Sequence, residues 1–482
     1  MCSNLKNIQM KNHYFIPLLF LCAICQAQDV NIPDVYIPDA NFKDALVNTP
    51  CVDTDGDGSG DSDADTNDDG EIQESEAEAV LWLNVSSRNI SSLEGIQSFT
   101  NLKLLWCANN QLSSLDVTQN TNLEELICWG NPLTSLDVTQ NTNLEGLICY
   151  ENELSSLDVT QNTNLEWLWC WANQLSSLDV TQNTNLEVLS CPNNQLSSLD
   201  VTQNTNLEGL ECWGNPLTSL DVTQNTNLEK LLCWDNQLSS LDVTQNTNLE
   251  VLACNNNQLT SLDVTQNTNL EGLWCWDNQL TSLDVTQNTN LGGLWCWDNQ
   301  LSSLDITQNT NLEILDCANN QLSSLDVTQN TNLKLLWCFN NFLTSLDIKN
   351  GNNHNMTRMW ASDNPNLECI QVDDETATYP ICDEPNNTGW CKDSTASYSE
   401  NCSLATQYFN QISFTLYPNP TQDFLYIESQ VPIESVRIYS INGSLIKETS
   451  NSSISVSELS TGLYFAQVNA GSNTITKKFI KS

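Results

Sequence analysis

A chain of 482 residues with 60 Asp and Glu against 15 Lys and Arg carries a formal net charge of −45. That balance excludes nucleic acid and anionic membrane as partners, because phosphate binding needs clustered cations. The 39% of hydrophobic residues suffices for packed cores over about three domains, and the 2 His leave His354 as the one imidazole outside the N-terminal leader described next.

Lys6 and Lys11 precede an apolar stretch over residues 14–25, and Cys25-Gln26-Ala27 offers small residues for cleavage after Ala27. Residues 1–27 are therefore expected to direct export, with Met10 an alternative start to Met1. Leu21 and Ile24 are too large to precede a lipoprotein cysteine, so no lipid anchor is expected. The apolar stretch is shorter than the roughly 20 residues a membrane span needs, and no later segment qualifies, so no transmembrane segment is expected.

Residues 28–79 are read as an N-terminal cap. Between Asp53 and Glu76 lie eleven acids and no base, more like charge than packs without a counterion. Asp65, Asn67 and Asp69 occupy positions 1, 3 and 5 of a loop with Gly70 at 6, Glu71 at 7, Ile72 at 8 and Glu76 at 12. This is the spacing of an EF-hand loop, and it implies a structural Ca²⁺ held by Asp65, Asn67, Asp69, Glu71 and Glu76. Helical spacing over residues 41–47 supplies an incoming helix. The alternative is a solvated acidic linker. Residues 53–63 bear a weaker resemblance to thrombospondin type 3 or dockerin calcium loops.

From Leu102 the pattern L-x-x-L-x-C-x-x-N-x-L-x-x-L recurs every 21 residues in twelve copies, with a divergent copy ahead of it at Val80, Leu83, Val85, Ile90 and Leu93. Alternation puts Leu126 and Cys128 inside a short strand and Ile127 and Trp129 outside. Stacked copies then make one parallel sheet, and the period leaves room only for turns or a 3₁₀ turn on the return side. The series Asn110, Asn131, Asn152 through Asn341 is expected to satisfy backbone groups stranded by the tight turn. These residues resemble the bacterial leucine-rich repeat family, with Cys where many members have Leu, and residues 80–353 are assigned to the solenoid. The repeat cysteines, from Cys107 to Cys338, are expected to be buried thiols: in-register neighbours sit badly for disulfides, and the period lacks paired zinc spacing.

In the eleven intervals between complete copies, Thr-Gln-Asn-Thr-Asn is unchanged, from residues 118–122 to residues 328–332, whereas the outward strand positions vary. Twelve of the 15 tryptophans fall on the varied, concave side: Trp106, Trp129, Trp167, Trp169, Trp171, Trp213, Trp234, Trp274, Trp276, Trp295, Trp297 and Trp337, joined by Tyr150 and Phe339. Such aromatic strips are expected to bind a partner, because soluble proteins rarely leave so much aromatic surface bare. The alternative is that the rings cover one another. Glu211, Asp235, Asp277, Asp298 and Asp316 lie among them as acceptors. That mixture suits a protein partner in adhesion or interaction, and also a glycan stacked on the rings. No catalytic residue is expected: Asp277 and Asp298 are duplicates on adjacent coils, with nothing to separate their proton affinities.

Residues 354–403 are read as a C-terminal cap, in which disulfides between Cys382 and Cys391 and between Cys369 and Cys402 would leave Cys51 over. From residue 404 the charges balance, and β-branched runs at residues 424–427, 436–439, 463–468 and 475–480 predict a small immunoglobulin-like β-sandwich. Tyr417-Pro418-Asn419-Pro420, Gly462-Leu463-Tyr464 and Lys477-Lys478-Phe479-Ile480-Lys481 resemble the C-terminal sorting domain of type IX secretion substrates. The resemblance implies export through the type IX machinery of Bacteroidetes-type bacteria, loss of residues 404–482, and release or attachment at the outer surface.

Overall fold

The computed structural model describes residues 33–54, 58–383, 388–402, 414–429, 432–470 and 473–482; the leader expected over residues 1–27 lies outside them. The chain divides into two compact units, Met1–Glu400 and Asn401–Ser482.

In the first unit each 21-residue coil supplies one three-residue strand. Leu126 in Glu125–Ile127 pairs in register with Leu105 before it and Leu147 after it, and the same pairing propagates from Trp82–Asn84 to Leu335–Trp337. In that coil Leu123, Leu126, Cys128, Leu133, Leu136 and Val138 all point inward and are buried. Burial of the same six positions from coil to coil makes one continuous apolar core, so stability resides in contacts between neighbouring coils.

Two asparagine ladders close the turns. Asn131 donates from Nδ2 to the carbonyls of Cys107 and Cys128, each at 3.1 Å, while its Oδ1 accepts the Leu112 N–H at 3.1 Å. The residue ahead of this asparagine is left-handed in every coil, with φ from +49° to +67° in the series that includes Asn109, Gly130, Asp235, Asp277 and Asp298. Gly, Asn and Asp tolerate that region, whereas Glu151 and Ala172 hold it at a cost on the order of 1 kcal/mol each. The second ladder lies in the return turns. Asn141 is fully buried and donates to the carbonyls of Val117 and Asn120, each at 2.9 Å. The unchanged Thr-Gln-Asn-Thr-Asn stretch therefore has a packing reason: its central asparagine ties each coil to the one before.

Both ends of the solenoid are covered. Helix α1 (Ala40–Asn48) starts at Asp39, whose carboxylate accepts the N–H groups of Asn41 and Phe42, and it buries Phe42, Ala45 and Leu46. The Asn84 N–H donates to the Cys51 carbonyl at 2.8 Å, giving the first strand a partner on its free edge. At the other end the assigned boundary at residue 353 moves outward. Arg358–Ala361 and Gly389–Lys392 continue the same parallel sheet to 15 strands, so the expected C-terminal cap contains two further coils. Beside them Ser324–Asp326, Ser345–Asp347, Cys369–Gln371 and Ser397–Ser399 form a second parallel sheet. A disulfide joins Cys382 to Cys391, Cys369 and Cys402 are also disulfide-bonded, and Cys51 is a buried free thiol.

The second unit pairs two antiparallel sheets. Phe414–Tyr417, Phe424–Ser429 and Ser453–Ser455 make one; Leu445–Thr449, Ser435–Ser440, Gly462–Ala470 and Asn473–Lys481 make the other. Leu425, Ile427, Val436, Ile438, Ala466 and Phe479 fill a core of their own. The fold is thus a leucine-rich repeat solenoid followed by a small β-sandwich.

Candidate functional site

The outer face of the long sheet carries two rows of side chains. One row is the third residue of each strand and includes Trp106, Trp169, Trp274, Trp295 and Trp337. The other follows the buried cysteine and includes Trp129, Tyr150, Trp171, Trp213, Trp234, Trp276, Trp297 and Phe339. Trp167 stands apart, at the first position of its strand.

All of these rings are half-buried, which revises the expectation of open aromatic plates. For nine of them the cause is stacking between coils at the strand spacing of about 4.8 Å. Trp129, Tyr150 and Trp171 form a continuous stack, with centroids 5.1 and 4.1 Å apart. Trp213 stacks on Trp234 at 4.8 Å, Trp274 on Trp295 at 4.9 Å, and Trp276 on Trp297 at 5.7 Å, all within 12° of parallel. Within each stack the facing π surfaces cover one another and the ring edges point outward.

The structure adds residues that sequence reasoning missed. Trp82 meets Trp106 edge-on at 5.2 Å and is itself buried, and Trp360 meets Phe339 at 5.2 Å, so ring contacts continue by a coil at each end. Gly146 and Gly293 seat indoles: a Cβ on either would lie 2.1 Å from Trp167 or 2.4 Å from Trp295. The signal available was the coincidence of Gly with a bulky ring in the same or the next coil.

The acids on this side play different parts. Glu211 pairs with Lys230 at 2.6 Å and accepts the Ser190 hydroxyl at 3.1 Å. Asp235, Asp277 and Asp298 occupy left-handed turn positions, and Asp235 accepts Asn256 Nδ2 at 2.7 Å. Backbone geometry thus accounts for the Asp277 and Asp298 pair. Glu125 accepts the Trp106 indole N–H at 2.8 Å, and burial holds its carboxyl above the usual range in spite of that bond. Asp316 lies in register between Trp295 and Trp337, and burial pushes its carboxyl up to about 7. His354 is exposed in a 3₁₀ turn, Asn353–Asn355.

In the N-terminal cap the acidic loop turns at Gly70, with φ +84°. Asp65 accepts the Gly70 N–H at 2.7 Å and the Asp69 N–H at 3.2 Å. Glu76 accepts the Thr66 N–H at 2.8 Å and the Gln73 N–H at 3.0 Å, the latter at the start of helix α2 (Glu74–Ala79). Asp65 and Glu76 are buried, whereas Asn67, Asp69 and Glu71 are exposed, and Glu71 pairs with Lys43 at 2.5 Å. Among the described residues no three His, Cys, Asp or Glu side chains converge at ligand distance.

Residues 415–482 match the family of secretion system C-terminal sorting domains. In fold the chain is similar to the functional domain of InlJ from Listeria monocytogenes, which includes a cysteine ladder. Identity is 27% and the TM-score 0.56, over 92% of this chain and 97% of that one. A leucine-rich repeat protein of Leptospira interrogans is 29% identical, with a TM-score of 0.52, over 61% of this chain and 78% of its own. No curated protein sequence matches. Among the described residues no helix is long and apolar enough to cross a membrane.

Proposed function

We infer that this is an exported leucine-rich repeat chain whose sorting domain directs it to the cell surface or the medium. We propose that it binds a protein partner, in adhesion or a related interaction, through the ring edges of the sheet face. The observation that carries this reading is the stacking itself. A sugar stacks on the face of a ring, and within each of the four stacks the facing surfaces are covered by the next ring, which leaves glycans the outer faces of a stack. Ring edges interspersed with leucines and carboxylates offer a partner the mixed apolar and hydrogen-bonding surface typical of protein hot spots.

The test is capture of surface proteins by the intact chain, run beside a glycan array. Replacing Trp276 and Trp297 by Ala should weaken protein capture by about 2 kcal/mol, roughly 30-fold. Ring-dependent binding to glycans with no protein captured would overturn this in favour of a carbohydrate ligand.

We infer also that the acidic loop takes up Ca²⁺. The support is two buried carboxylates, Asp65 and Glu76, facing a turn with the expected glycine, and no base to offset Asp63, Asp65 and Asp68. Burial, and then Asp68 and Asp65, raise the Asp63 carboxyl above its ordinary value. Closing the shell requires Asn67 and Asp69 to turn inward, with Glu71 supplying its carbonyl. Calcium at 100 times its dissociation constant should stabilise the cap by about 2.7 kcal/mol. Asp65→Ala with Glu76→Ala should abolish the gain, and calorimetry without heat at millimolar calcium would remove the ion from the account.

A further inference from the structure

Exposed apolar side chains are not spread evenly over the chain. Among the described residues eleven large apolar side chains are exposed, and seven of them lie in the second unit, which has 82 residues against 400 in the first. Three of the seven are aromatic and share one face. Tyr417, Phe424 and Tyr426 are 48%, 47% and 41% exposed. Tyr417 stands opposite Tyr426 in an antiparallel pair and stacks on it at 5.7 Å, and Phe424 lies 6.4 Å from Tyr426 on the same strand.

Alternation explains where these rings point. Leu425, Ile427 and Ile454 fill the core of the sandwich, so the rings stand on the outer side of the sheet formed by Phe414–Tyr417, Phe424–Ser429 and Ser453–Ser455. The outer side of a sandwich ordinarily carries polar residues. Here Thr415, Ser453 and Ser455 hold the outward positions beside the rings, and Glu428 is the one charge in the three strands. The other four exposed residues, Ile441, Leu445, Ile446 and Ile480, belong to the opposite sheet and its turn and include no ring.

The size of the patch selects its occupant. A fully buried Tyr or Phe contributes about 150–250 Å², so the exposed fractions of the three rings amount to roughly 300 Å². A stable dimer needs about 800 Å² from each copy, which excludes a second copy of this chain on the patch alone. A short-lived contact needs less, and a domain that marks a chain for export must be engaged and then let go.

We propose that this patch is the surface through which a protein of the secretion machinery engages the sorting domain, by an apolar and uncharged contact. The inference rests on the export reading and names the place of one contact within the matched residues 415–482. Rings suit such a contact: they are rigid, they bring a large area for few rotatable bonds, and the two tyrosine hydroxyls can stay wet at its rim.

The test follows export of the intact chain in cells that carry a type IX system, as the ratio of surface and medium protein to periplasmic protein. Phe424→Thr with Tyr426→Thr removes two of the three rings and keeps β-forming side chains. The ratio should fall at least tenfold, with the purified variant still folded by circular dichroism and protease resistance. Leu445→Thr with Ile446→Thr removes apolar surface from the opposite sheet and should be exported normally. If the double ring variant loses the sandwich, Phe424→Thr alone is read in its place and should lower export at least threefold. Normal export of the folded ring variant, or an equal loss in Leu445→Thr with Ile446→Thr, would overturn the proposal. Sedimentation that finds a dimer of the intact chain, abolished in the ring variant, would assign the patch to a second copy instead. A chain lacking residues 404–482 separates the two readings: its normal export would sink the sorting assignment, whereas its retention beside an exported ring variant would sink the patch alone.

Discussion

The two sides of one coil solve opposite problems. On the turn side the same bonds recur from coil to coil: Asp200 accepts the N–H and the hydroxyl of Thr202, and Asn225 donates to the carbonyls of Val201 and Asn204, with only its buried Oδ1 left without a donor. On the sheet side the outward residues change from coil to coil and close only by chance, as where Trp106 finds Glu125. Electrostatics follows the same division. The Thr202 hydroxyl and N–H hold the Asp200 carboxyl below its ordinary value, while burial among rings raises that of Asp316. Constancy between copies therefore marks closure, and variation marks the surface free to meet something else.

The strongest way to break this comparison is to open a turn. Asn225→Ala takes a second donor from two buried carbonyls, which keep the Asn204 and Leu207 N–H groups, and leaves a small cavity, and should cost roughly 2–3 kcal/mol in urea unfolding. A cost below 1 kcal/mol would mean that water closes the turn and that constancy needs another cause.

A smaller effect of opposite sign is expected at Asp316. Burial pushes its carboxyl up to about 7 in the folded chain, against an ordinary value of 3.8, so the folded state binds the extra proton between those values and loses stability as pH rises through them. Asp316→Asn should thus stabilise at pH 8, by on the order of 2 kcal/mol after allowance for partial solvation, and be neutral near pH 3. Thermal unfolding at the two pH values measures the difference.

The smallest effect belongs to Thr202→Val. Asp200 is exposed, so loss of the hydroxyl bond should cost no more than about 0.5 kcal/mol. Because the folded carboxyl lies below its ordinary value, that contribution is present above pH 4 and vanishes as the pH falls through the folded value. A cost near that of Asn225→Ala would erase the distinction between closed and exposed groups on the turn side.

Much of this was legible beforehand, for a physical reason. Register places residue i beside i + 21, so the period alone located the Leu and Cys core, the inner asparagine ladder and the long parallel sheet, but not the second, four-stranded one. Stacking of Trp129, Tyr150 and Trp171 was foreseen as a strip, with mutual cover only as the alternative, because the tilt of a ring depends on what fills the space above it. The buried state of Asn141 was missed for a similar reason: Thr-Gln-Asn-Thr-Asn is polar throughout, and nothing in composition says that its centre faces inward. The coils at Arg358–Ala361 and Gly389–Lys392 escaped because insertions between them break the period.

The column of thiols has a consequence for timing. In the folded solenoid the twelve repeat cysteines are fully buried, and burial lifts Cys107 to about 12 and holds Cys128 and Cys149 well above the ordinary thiol value, so almost no thiolate exists to react. An unfolded chain has no such shelter, and outside the cytoplasm it would meet oxidants with a cysteine every 21 residues. Closure of the coils and oxidation are therefore in a race, and a chain that exits slowly or folds late would be trapped in mispaired disulfides that the solenoid cannot accommodate.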